Sequence, residues 1–223
     1  MGIFLSTEVG KNARLRNGQG KLGIWHITES VDELLKMKFF SKEDVSQLNS
    51  FSYEHRKKEW LVSRILAEKL TGEKDTQIIY DEHGKPCLEN STLHISLSHS
   101  HNLLAVIIDK QETGIDIELI KPKVIRIKEK FMNEAELNSL QKENQEEQLT
   151  IYWCAKESLY KLYGKKELVF KKHLLIEPFQ YSEKGIIMGW IKNTSVNKSF
   201  ALQYEKLNSG NDNYMLAYII NHV

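Results

Sequence analysis

Two stretches of this chain match each other across a fixed offset. Moving Lys38–Gly72 by 92 positions lays it on Lys130–Gly164 without a gap. Lys38, Phe39, Leu48, Glu54, Lys69, Leu70 and Gly72 then meet identical residues, seven of 35, while Arg64 meets Lys156 and Trp60 meets Tyr152. Two shorter echoes flank the match: Gly23-Ile24 resembles Gly114-Ile115, and Leu104–Ile108 resembles Leu216–Ile220. A period this long excludes a solenoid, whose repeats are far shorter. It predicts two related subdomains, residues 1–110 and 111–223, about a pseudo-twofold axis.

Each half reads as a strand, then helix, then strands. Strands are predicted over Leu22–Thr28, Gln77–Tyr80, Leu103–Asp109, Gly114–Leu119, Gly185–Ile191, Phe200–Tyr204 and Met215–Ile220, which are rich in β-branched and aromatic residues. Helices are predicted over Lys42–Asn49, Tyr53–Leu70, Asn133–Gln141 and Glu147–Tyr163. Ser41 with Asp44, and Asn133 with Glu136, have the spacing of helix starts. Gly72 and Gly164 sit where a C-terminal cap belongs. Lys142–Gln148 reads as a polar, exposed loop. The expected class is α+β: two similar subdomains, each a sheet packed against a long helix.

Charge and cysteine usage exclude several functions. Lys and Arg number 31 against 30 Asp and Glu, a formal net charge of +1. No global field therefore points to nucleic acid or a membrane surface. Two cysteines make no disulfide framework, and no apolar run is long enough to span a bilayer. These features predict a soluble, cytoplasmic protein.

The chemistry gathers in two segments. In Gly114–Leu119, alternation sends Ile115, Ile117 and Leu119 to one face of a strand and Asp116 and Glu118 to the other. Two carboxylates side by side repel unless something neutralises them, and a hard divalent cation does so. The same pattern also describes a half-exposed strand with a polar face. In the helix that holds Trp153–Lys161, the stripe Leu149, Tyr152, Ala155, Leu159 and Leu162 is apolar. Glu157 and Lys161 lie nearly opposite it, four apart, an order that favours an ion pair. Alone, such a pair is an ordinary solvated feature. Three carboxylates and a lysine together suit a metal-bound polyphosphate and a proton to be moved.

Three further groups supply polar side chains. His94–His101 alternates apolar and polar residues and ends in Ser98-His99-Ser100, whose hydroxyls and imidazole can meet phosphate oxygens. It also reads as a polar turn, and no cysteine or acid stands at zinc-ligand spacing beside it. Gly84-Lys85-Pro86 holds a lysine out on a turn without the glycine loop of a Walker motif. His55–Lys58 with Arg64 puts positive charge on the first-half helix, as a solvated face or a phosphate grip.

Gly114-Ile-Asp-Ile-Glu118 followed by Trp153-Cys-Ala-Lys-Glu-Ser-Leu-Tyr-Lys161 resembles the paired motifs of the 4′-phosphopantetheinyl transferases. Gly84-Lys-Pro86 and Ile95–Ser100 resemble two more motifs of that family, in the family's order, and Ile120-Lys-Pro122 fits more weakly. Length and duplication resemble the surfactin-synthetase-activating type, a pseudo-dimeric monomer. The resemblance implies transfer of the phosphopantetheine arm of coenzyme A to a serine of an apo acyl or peptidyl carrier protein, with release of 3′,5′-ADP. It implies Mg²⁺, with Mn²⁺ as an alternative, held by Asp116, Glu118 and Glu157. Lys161 would neutralise the reacting phosphate. Glu157 would serve first as a ligand and, directly or through a water, as the base. Lys85, Ser98 and His99, with Arg56 and Arg64 less firmly matched, would contact the nucleotide and its phosphates, and the site would lie in a cleft shared by both halves. A non-catalytic homologue that binds coenzyme A or carriers is the alternative. Carrier recognition has Phe131, Met132 and the stretch Lys142–Gln148 as candidates.

Overall fold

The computed structural model describes residues 13–17 and 20–222. They form two compact units. The first holds the described residues up to Asp81 together with Pro86–Gln111, and the second holds Glu82–Lys85 and the chain from Glu112 onward.

The first unit runs β1 (Ala13–Asn17), β2 (Lys21–His26), α1 (Val31–Leu35), α2 (Lys42–Ser50), α3 (Glu54–Thr71), β3 (Ile78–Tyr80), β4 (Pro86–Leu88), β5 (His94–Ser100) and β6 (Leu103–Asp109). Its main sheet is antiparallel in the order β1-β2-β6-β5, and β3 and β4 form a separate two-stranded ladder. The long helix α3 buries Trp60, Leu61, Ile65, Leu66 and Leu70, which share a core with Trp25, Ile95, Leu104 and Val106 of the sheet. Residues 59–67 are all buried, so the middle of α3 is covered on every side. The Ser41 and Asp44 capping box starts α2 as expected. Gly72 closes α3 in the left-handed region, φ 77°, where a side chain would be strained.

The second unit runs β7 (Ile115–Leu119), α4 (Lys123–Phe131), α5 (Glu134–Asn138), α6 (Gln145–Tyr163), α7 (Phe170–His173), β8 (Leu174–Ile176), β9 (Lys184–Lys192), β10 (Asn197–Ser209) and β11 (Asp212–His222). Its sheet is antiparallel in the order β7-β11-β10-β9-β8. Leu149, Tyr152, Ala155, Leu159 and Leu162 of α6, the predicted stripe, are buried with Phe200, Leu202, Met215 and Ala217 of the sheet. The expected α+β class holds.

Three expectations about this unit are corrected. Of residues 142–148, only 142–144 form a largely exposed turn, since α6 begins at Gln145. Gln148 is fully buried: its carboxamide accepts from Gln141 N and donates to the Ser139 and Phe179 carbonyls. Phe131 and Met132, candidates for carrier recognition, are 1% and 0% exposed and belong to the core. They end α4, a helix not expected from the sequence, whose Val124, Ile125 and Ile127 pack inward.

Candidate active site

Glycine sets how closely α6 approaches β7. A Cβ at Gly114 would stand 1.9 Å from the Ser158 carbonyl oxygen and 3.1 Å from Leu162 N, so no other residue fits. Small side chains continue this contact. The Ser158 hydroxyl donates to the Cys154 carbonyl of its own helix and to the Ala217 carbonyl of β11. With helix and strand backbones this close, a side chain one turn along α6 reaches β7. Lys161 does so: its Nζ donates to Asp116 Oδ1 at 2.7 Å and to the Ile115 carbonyl at 3.0 Å.

The expected i,i+4 ion pair between Glu157 and Lys161 is therefore replaced by one across elements. Asp116 is 4% exposed, so its negative charge is matched inside the protein by Lys161. Glu157 lies within the same field. Burial, followed by the Asp116 charge, pushes its carboxyl up to about 7; Glu118 adds to the rise and Lys161 opposes it. Glu118 accepts a hydrogen bond from Trp153 Nε1 at 3.3 Å. Trp153 is wedged between Phe131, edge-on at 5.2 Å, and Phe170, stacked at 5.6 Å. It orients one carboxylate with a neutral donor. Cys154, in the middle of the motif, is inert: burial, then the Asp116 and Glu118 charges, push its thiol well above the ordinary range.

The sequence reading missed Lys156. Its Nζ, fully buried, donates to Glu136 Oε2 and to the Phe131 carbonyl, each at 2.7 Å. The same Glu136 carboxylate accepts from Asn133 N, as part of the α5 capping box, and from Ile176 N. One ion pair thus ties the end of α4, the start of α5 and the end of β8 to the residue before Glu157. The capping-box spacing found Glu136, but nothing in the sequence joins it to a lysine twenty positions on.

Among the described residues, no group of three His, Cys, Asp or Glu side chains stands in metal-binding geometry. The donor chemistry of the cluster nevertheless suits a hard cation. Asp116, Glu118 and Glu157 offer carboxylate oxygens only, and after burial the charges of Asp116 and Glu118 add to the rise of the Glu157 carboxyl to about 7.

The other predicted residues separate into three places. Lys85 packs in the second unit on the C-terminus of α6, where its Nζ donates to the Leu162 carbonyl at 2.6 Å and its stem covers Gly164. A cation there satisfies an orphan carbonyl and the negative end of the helix. Arg64 is 3% exposed. Its guanidinium lies 3.6 Å over the Trp60 ring and donates to the Trp60 and Ile78 carbonyls, so it is turned into the core of the first unit. Ser98 is buried on β5. Arg56 and His99 do come together, 3.4 Å apart, on either side of Glu59.

The comparisons with known proteins agree with this geometry. A family model described as the 4′-phosphopantetheinyl transferase superfamily matches residues 112–219. That span contains both acidic motifs. The chain is 29% identical over 147 residues to the 4′-phosphopantetheinyl transferase ffp of Bacillus subtilis, covering 61% of this chain and 65% of that protein. It is 28% identical over 139 residues to 4′-phosphopantetheinyl transferase Sfp of Bacillus subtilis strain 168, covering 58% and 62%. It is 36% identical over 88 residues to the 4′-phosphopantetheinyl transferase gsp of Aneurinibacillus migulanus, covering 38% and 37%. The chain thus spans a little under two thirds of the length of the first two relatives. Residues 112–219 thus match the 4′-phosphopantetheinyl transferase superfamily, and about 60% of the chain is similar to transferases of that kind.

Proposed function

We propose that this chain transfers the 4′-phosphopantetheine arm of coenzyme A to a serine of an apo acyl or peptidyl carrier protein. The serine oxygen forms a bond to the phosphorus that carries pantetheine, the bond from that phosphorus to the bridging oxygen breaks, and 3′,5′-ADP leaves with the electron pair. The serine proton passes to a base. The observation that carries the reading is the Lys161–Asp116 contact at 2.7 Å beside a Glu157 carboxyl held near 7, inside the span matched by the family model.

Transfer of this kind depends mostly on positioning and on neutralising phosphate charge. Asp116, Glu118 and Glu157 would hold Mg²⁺ or Mn²⁺, which supplies Lewis-acid stabilisation of pyrophosphate charge when bound. Lys161, already beside the carboxylates, supplies a cation to the reacting phosphate. Glu157, first a ligand, would also take the serine proton directly or through a water. Trp153 fixes Glu118 in place. Of the two proposed subdomains, residues 1–110 carry Arg56, Ser98 and His99, which would meet the nucleotide, and residues 111–223 carry the acidic groups. Lys85 is left out of this set because its amine is engaged with the end of α6. A cytoplasmic monomer acting on carriers is part of this proposal; among the described residues no helix is long and apolar enough to cross a membrane.

The test is intact-mass spectrometry of apo carrier proteins incubated with the chain, coenzyme A and Mg²⁺. The expected result is a gain of one phosphopantetheine that EDTA abolishes. Unmodified carriers from fatty-acid, polyketide and peptide assembly would overturn the reading.

A further inference from the structure

One carboxylate in the second unit does more than close an ion pair. Glu136 is fully buried. Its Oε2 accepts from Lys156 Nζ at 2.7 Å and from Asn133 N at 2.9 Å, and its Oε1 accepts from Ile176 N at 2.9 Å. Lys156 Nζ, fully buried as well, also donates to the Phe131 carbonyl at 2.7 Å. The pair therefore holds two separate points of the chain, the end of α4 at Phe131 and the end of β8 at Ile176.

Those two points lead to either side of Trp153. The Phe131 ring meets the indole edge-on, with centroids 5.2 Å apart, and Phe170 stacks on it at 5.6 Å. Phe170 opens α7, which runs directly into β8 and so to Ile176. Both flanks of the indole are thus tethered to one carboxylate. The indole in turn donates from Nε1 to Glu118 Oε1 at 3.3 Å. A hydrogen bond weakens steeply off its preferred direction, so a donor directs a carboxylate only as firmly as the donor itself is held.

The 92-residue offset supplies a contrast. Ser41 and Asp44 fall on Asn133 and Glu136, and both pairs form capping boxes. Asp44, one methylene shorter, is partly exposed on α2. Arg64, at the place of Lys156, rests on the Trp60 ring and main-chain carbonyls, and Leu61, at the place of Trp153, has no side-chain donor. Capping therefore needs only the short carboxylate. The longer one, reaching a buried lysine, occurs in the half that has an indole to hold and an acidic strand for it to meet.

We infer that Glu136, with Lys156, is a positioning residue for the acidic site: it clamps both flanks of Trp153 and, through the indole, sets the direction of the Glu118 carboxylate. The inference rests on the proposed transfer reaction for what Glu118 holds, a divalent cation. Glu136 touches neither cation nor substrate; groups behind a metal ligand orient it and tune its affinity. A pair that served stability alone could be exchanged for apolar side chains without loss at the site, because such an exchange is often neutral or stabilising.

The test makes that exchange. Lys156→Met with Glu136→Leu is compared with wild type, Trp153→Phe and the triple variant, each as the full chain with its urea midpoint recorded. The first readout needs no metal: the indole N–H signal of Trp153 in a proton–nitrogen correlation spectrum, assigned by its disappearance in Trp153→Phe. In the double variant this signal should leave its wild-type position. The second is Mn²⁺ titrated by electron paramagnetic resonance in the presence of coenzyme A. The double variant should bind Mn²⁺ about tenfold more weakly than wild type while its urea midpoint stays close to wild type. The triple variant should bind no more weakly than Trp153→Phe, because a residue that acts through the indole has nothing left to act on. An unmoved indole signal, Mn²⁺ affinity within about twofold of wild type, or additive losses in the triple variant would overturn the assignment. If the double variant does not fold, Glu136→Asp carries the same contrast, since it keeps the cap as Asp44 does; a wild-type signal and affinity in that variant overturns it. The contrast without carrier modification by wild type supports this assignment while removing the transfer reaction. Wild type that binds no Mn²⁺ overturns both.

Discussion

Helices α3 and α6 fall on each other under the 92-residue offset, and each buries a cation at the matching position: Arg64 at 3% exposure and Lys156 at 0%. The two solutions differ. Arg64 spreads its charge over the Trp60 ring and two main-chain carbonyls. Burial lowers its pKa to about 10, which still leaves it charged at neutral pH. Lys156 concentrates its charge on one atom and is given a full carboxylate, Glu136. A delocalised, weakly hydrated guanidinium can be buried against a ring and carbonyls, whereas a compact ammonium calls for a counter-ion. That counter-ion then serves as the tie between α4, α5 and β8.

The comparison breaks most sharply at the lysine. Lys156→Met strands a buried Glu136, and urea denaturation should show a loss of about 3–5 kcal/mol. Adding Glu136→Leu should recover most of it; failure to recover would mean that the carboxylate matters for more than its charge. Next come Asp116→Ala and Glu157→Ala, which should each reduce carrier modification by about 10²- to 10³-fold with circular dichroism melting curves close to wild type. Activity within tenfold of wild type in both would remove the roles given to them. For the arginine, Arg64→Met should cost less than the lysine change, about 1–3 kcal/mol. A loss equal to that of Lys156→Met would erase the distinction drawn here.

The smallest effect concerns pH. Burial tends to raise the Glu59 carboxyl, but the hydrogen bond and charge of His99, the Arg56 bond and the His55 charge outweigh it and hold Glu59 below its ordinary 4.5. A depressed folded-state value means that the unfolded chain binds more protons in this range, so the stabilisation is present above about pH 4.5 and is lost as pH falls below it. Because its partners are half exposed, the effect is on the order of 1 kcal/mol or less. Urea midpoints at pH 7, 5 and 3.5 should show a shallower acid limb in Glu59→Gln than in wild type.

Much of the second unit's site is legible in the sequence because it obeys two short periods. Alternation on β7 pairs Asp116 with Glu118, and helical spacing on α6 pairs Glu157 with Lys161. The lysine's true partner is not legible, since it depends on a strand-to-helix distance that only Gly114 hints at. Lys156 and Arg64 look like surface charges, because a single cation beside an apolar stripe says nothing of a carboxylate or a ring that folding brings over it. Residues 121–130 hide α4 behind lysines and a proline that ends the preceding strand. Gln148 looks exposed because its carboxamide is satisfied by main-chain groups of Ser139, Gln141 and Phe179, which the sequence does not place beside it.

The absence of a side chain at Gly114 has a thermodynamic consequence. Where Ser158 meets Gly114, helix and strand touch main chain to main chain, with no rotamers between them. The separation of β7 and α6 is set there by direct main-chain contact, so a phosphate binding as proposed would find little backbone freedom left to surrender at this contact. Association at this end of the site should carry a small ordering entropy and a modest heat-capacity change, the calorimetric mark of a site assembled in advance.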